Sequence, residues 1–243
     1  MYRCVAGSIE GFVRQLAVAY VGHGYYFYVT GWIPPHKVPE RIDEKIIRRY
    51  DIDISRWTRA RRKKQGCANV QYLRFDRFFV IIATQGRHRF FEAEGAAVKD
   101  IREAPIHFHR YSIGYRPGWR STTWHPSVRI DAGLYAKLEA RFEGLALHRA
   151  AEAISAEFRG LPFEPWAPVR RQLWRLLRLV NQRRKLAGLE LVPISAVGLR
   201  RRPSQPFDRK RGCEAQVASA GPVRRAGGPV RDRGEVGGVN AHL

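Results

Sequence analysis

The sequence predicts an α+β protein, mainly antiparallel sheet with N-terminal helices, a C-terminal helical segment and a disordered basic tail. Three observations carry this. Aromatic and β-branched runs crowd residues 20–130, helical periodicity takes over across 131–190, and from about Arg202 the composition falls to Gly, Pro, Arg, Ala and Val without a period. With 243 residues, 44% hydrophobic and 12% aromatic, the chain can bury a core for one large domain. A single unit over 1–206 followed by a Gly/Arg-rich tail over 207–243 is expected.

From Ser8, a plausible N-cap, to Ala19, apolar residues Ile9, Phe12, Val13, Leu16 and Ala17 recur at helical spacing, and Gly22 and Gly24 end that helix. Tyr25 to Thr30 reads as a strand stopped by Pro34 and Pro35. After Pro39, Ile42, Ile46 and Ile47 share one face of a short helix running to about Tyr50. Ser55 then caps a second helix through Lys64, closed by Gly66. Two short helices with a tight link are compatible with a helix-turn-helix.

Val70 to Phe75 and Phe78 to Thr84 flank Asp76-Arg77 and predict a hairpin with a buried second strand. Phe90 to Lys99 fits a short helix. Ile106–Tyr115 and Thr122–Ile130 predict a further pair of strands around Pro117-Gly118. Asp131 caps a helix carrying Leu134, Leu138 and Phe142. Others are expected from Ala146 to Phe158 and from Ala167 to Leu186.

Charge dominates the functional reading. There are 44 Lys and Arg against 22 Asp and Glu, a formal charge of +22 and a pI near 10.8, so a polyanion is the natural partner. Arg59, Arg61, Arg62, Lys63 and Lys64, with Arg56 and Trp57, form an acid-free block suited to a phosphate backbone. On the last helix Arg171, Arg175, Arg178 and Lys185 lie opposite an apolar face, at a pitch of about 5.4 Å per turn that suits successive phosphates. Arg200-Arg201-Arg202 and Arg209-Lys210-Arg211 add a flexible basic arm. Tyr25, Tyr26, Tyr28, Tyr72, Phe78 and Phe79 offer a base-stacking platform, although alternation across both strand faces assigns most of them to the core.

These features favour a DNA- or RNA-binding protein that is non-enzymatic or accessory, for instance to replication or a mobile element. A cationic membrane-surface protein is the weaker reading of the same basic helix. Cys4, Cys67 and Cys213 form no C-x-x-C pair, which argues against a disulfide framework. No apolar run approaches the roughly 20 residues of a membrane span, and a cytoplasmic setting is expected.

His107-Phe108-His109 falls on a predicted strand, where residues two apart share a face. The pair resembles the metal-binding motif of the HUH endonucleases, which include replication initiators, relaxases and single-strand transposases. That resemblance implies His107 and His109 as ligands of Mg or Mn and Tyr135 as the nucleophile of a single-strand nickase. Lys137 follows Tyr135 by two residues, whereas many such initiators space the pair by three, and no acidic third ligand is identified. Without that activity no cofactor is expected. Ala68 to Glu94 and the Arg-rich helix also resemble an uncharacterised bacterial family, which implies no function. An RNA- or ribosome-associated structural role is the third alternative.

Overall fold

A computed structural model describes residues 2–118, 122–198 and 205–207. Helix α1 (Ile9–Arg14) begins where Ser8 Oγ accepts the Gly11 N–H at 3.0 Å. The helix does not continue in α form: Gln15–Tyr20 is a π-helix and Val21–His23 a 3-10 turn that ends at Gly24, where φ is +92°. The chain then enters β1 (Tyr25–Trp32), followed by α2 (Pro39–Arg49) and α3 (Arg56–Lys64). Ser55 caps α3 as expected, accepting the Thr58 N–H at 3.1 Å. Yet α3 buries none of its side chains, so the pair lacks the packed apolar seam that a helix-turn-helix needs.

The hairpin forms as read. Strands β2 (Val70–Phe75) and β3 (Phe78–Thr84) are joined through Asp76, which turns the chain at φ +52°. Helix α4 (Arg89–Glu94) and the short strand β4 (Lys99–Asp100) follow, and the first sheet runs β2-β3-β1-β4, all antiparallel. Every residue of β3 is buried because the sheet is covered on both sides. Leu73, Val80 and Ile82 face α1 and the rest of the molecule, whereas Tyr72, Ile81 and Ala83 face Ile46, Tyr50 and Ile52. Residues 4–6 cover the β2 edge, with Ala6 N–H bonded to Arg74 O and Arg74 N–H to Cys4 O, each at 2.7 Å.

The second sheet corrects the sequence reading. Ile106–Tyr115 is not one strand: β5 (Ile106–Phe108) stops at a tight turn where His109 takes φ +49°, and β6 (Tyr111–Pro117) returns beside it. Strand β7 (Trp124–Ile130) completes the order β5-β6-β7. Helices α5 (Ala132–Ala146), α6 (Ala151–Arg159) and α7 (Ala167–Leu186) follow. Ala146 belongs to α5 rather than opening α6, which starts five residues later than expected. Phe142 and Phe158 stack at 4.2 Å between centroids, tying α5 to α6.

Two buried arginines lock elements together. Arg74 forms a bidentate pair with Asp43 at 2.7 and 2.8 Å, and Tyr72 donates to the same carboxylate at 2.6 Å, joining α2 to the hairpin. Arg184 is 2% exposed and donates to the carbonyls of Ala146 and Arg149 at 2.7 and 2.8 Å, holding α7 against the C-terminal end of α5. The expected tail and both Arg triplets lie outside the described residues, except that Phe207, expected to open the tail, packs against the core. Among the described residues no helix is long and apolar enough to cross a membrane.

Candidate nucleic-acid interface

Helix α3 presents its charge outward. Arg61, Lys63 and Lys64 are exposed, Arg59 and Arg62 are half-buried, and the indole of Trp57 is 83% exposed among them. The nearby carboxylate is Asp51, shared between Arg62 at 3.8 Å and Arg89 at 3.4 Å. Such solvent-exposed pairs add little stability, and one acid against six cations leaves a strong positive field. Backbone bonds also tether the helix: Asn69 Nδ2 donates to Arg59 O at 3.1 Å, and Cys67 N–H to Arg62 O at 2.9 Å. The exposed side chains of Arg61, Lys63 and Lys64 are left facing solvent.

On α7, Val169, Leu173, Leu176, Leu177 and Val180 are buried while Arg171, Arg175, Arg178 and Lys185 are exposed, as the wheel predicts. Gln172 fixes where the helix crosses the sheet. Its side chain accepts from Ile130 N–H at 2.9 Å and donates to Ile130 O at 3.3 Å, pairing with the open edge of β7 as a strand would. Arg171 and Arg175 flank this anchor and so lie beside β7.

There they meet two arginines that the sequence reading did not single out. Cross-strand register places Ser112 opposite Arg129, Gly114 opposite Ser127 and Arg116 opposite His125, all on the sheet face away from Tyr111, Ile113 and Val128. The charged groups acting on Arg129 are Arg116, Arg171 and Arg175, all positive. Burial first, then these three neighbours, hold its guanidinium below the usual arginine range. Among the described residues Arg116, Arg129 and Arg175 make no ion pair. The missing signal was register: Arg116 and Arg129 are 13 positions apart in sequence and come to flank the Gly114–Ser127 pair on one sheet face only when β6 and β7 pair.

The two histidines separate. His107 stays on β5, with Nδ1 2.8 Å from Asp131 Oδ2, whereas His109 lies in the turn with its ring against Phe75 and Phe108. They are not same-face neighbours on one strand, and among the described residues no three His, Cys, Asp or Glu side chains gather as a metal would need. Asp131 also accepts the N–H groups of Gly133 and Leu134. The His107 bond is the main cause that holds its carboxyl below the usual range. Tyr135 is brought to the same helix start, its N–H bonded to Asp131 O at 2.8 Å. Its phenol donates to Gln172 O at 3.3 Å, and burial, with Glu139, pushes its pKa up. Of the aromatic platform, Tyr25, Tyr28, Tyr72, Phe78 and Phe79 are core, and only Tyr26 is half-buried, stacked on Tyr115 at 4.7 Å.

Comparisons with protein-family models, curated proteins and solved structures find no match to this chain.

Proposed function

We propose that the protein binds nucleic acid through its phosphate backbone, as a non-enzymatic or accessory factor. The observation that carries this is α3, a helix that buries no side chain, carries six cations and no acid, and exposes Trp57. A helix polar all round gains nothing from the core, and like charges one turn apart repel, so its side chains are better explained by an external anion. Trp57 adds a ring on which an unpaired base can stack. The register of contact is with phosphates rather than base edges, so little sequence preference is expected.

Fluorescence anisotropy with labelled duplex DNA, single-stranded DNA and RNA tests this. Replacing Arg61, Lys63 and Lys64 by Glu should weaken binding on every sequence, and the salt dependence should fall by about 0.9 per lost duplex contact. Wild-type binding no tighter than about 100 µM at low salt to all three would overturn the proposal.

A further inference from the structure

We propose that the outer face of β6–β7, together with the first half of α7, is a phosphate-binding site built from Arg116, Arg129 and Arg175 around Gly114 and Ser127. The inference rests on the nucleic-acid reading and assigns it a second contact, separate from α3.

Its geometry begins with the small Gly114–Ser127 cross-strand pair between the two flanking arginines; both residues are buried, and Pro105 Cβ and Ile101 O bound the Gly114 side at 3.6 and 3.7 Å from where a Cβ would stand. Both arginine side chains fold inward over that pair. Arg129 Nε donates to Ser127 Oγ at 3.3 Å, and Arg116 Nε lies 3.6 Å from where a Cβ on Gly114 would stand. Arg171 and Arg175 close the side along α7, fixed by the Gln172 anchor on Ile130. Guanidinium groups cannot shed their protons near neutral pH, so their convergence is repulsive until an anion lies among them. Their planar forks match the paired oxygens of a phosphate, and Ser127 Oγ supplies a further hydrogen-bonding group. Ser112 and His125, on the same face, extend the polar surface along the strands.

The test compares wild type with Arg116→Gln/Arg129→Gln, using the full chain. Single-stranded oligonucleotides with a 5′-phosphate or a 5′-hydroxyl, and inorganic phosphate alone, serve as probes. The double variant should bind strands about tenfold more weakly, with a salt slope lower by roughly 1.4, two contacts at about 0.7 each. Loss on both strands identifies internal phosphodiesters as the ligand, and loss on the 5′-phosphorylated strand alone identifies a terminal phosphate; either supports the site. Inorganic phosphate should raise the melting temperature of wild type and not of the variant. Without any anion the variant should melt at or above wild type, since repulsion is relieved. A variant that melts lower would mean that the arginines hold the sheet together, and the inference would fall. Unchanged strand binding by the variant, while the α3 substitutions still weaken it, would overturn this site and leave the general reading intact. If wild type binds no strand, both fail together. Arg116→Lys/Arg129→Lys supplies the second variant: it should keep the salt slope but lose affinity, because charge remains and the forked donors do not.

Discussion

His88 shows how a single side chain makes this fold sensitive to acid. Its Nδ1 accepts the Phe90 N–H at 3.1 Å and so caps α4, a role open only to the form unprotonated at that nitrogen. Burial lowers its pKa first, and Arg62 and Arg89 lower it further, outweighing Asp51. The folded state therefore binds the proton less readily than the unfolded chain. The resulting stability is present above the unfolded value of about 6.5 and is lost as pH falls below it toward the folded value. His109, also lowered by burial and then by Arg110, acts in the same direction. His88→Asn keeps an N-cap without a titrating ring, so denaturant titrations at about pH 7 and pH 5 should show a smaller acid loss than wild type. An undiminished loss would assign the effect elsewhere. At this scale the local caps were legible in sequence: Ser8, Ser55 and Asp131 act on backbone groups two or three residues ahead. Arg74 and Arg184 were not, because each finds its partners across strands or between helices, nor were Arg116 and Arg129, which strand pairing brings onto one face.

Among elements, periodicity separated strands from helices wherever an element packs at least one face. It gave β3 and α7 their extents closely and failed at the boundary between α5 and α6 and where backbone geometry changes without a change in pattern, as at the π-helix Gln15–Tyr20 and the turn at His109. That turn decided the fate of the histidine pair, since spacing by two means a common face only while the strand continues. The close fit of β1 on β3 makes a further prediction. Gly31 pairs with Phe79, and a Cβ there would lie 2.5 Å from Phe79 Cζ. Gly31→Ala should destabilise by about 1–3 kcal/mol in urea unfolding, with part of the loss recovered by Phe79→Leu. Equal stability of Gly31→Ala and wild type would show that the ring moves aside freely.

For the molecule as a whole, the excess charge was visible in composition, but its arrangement was not. Some cations are structural: Arg74 and Arg184 are buried, and Arg141 and Arg183 pair with Glu157 and Glu143 across helices at 2.6 and 2.9 Å. Others are spread over the molecule, four of them on α2, so α3 and the β6–β7–α7 face are two concentrations within a charge that is widely distributed. The chain also returns to its start. Gly7 N–H bonds to Pro206 O at 3.0 Å, and Pro206 lies against Gly11 on α1. That adjacency means a fluorophore placed at Phe207 itself would report on the first helix rather than on the distant end of a linear map.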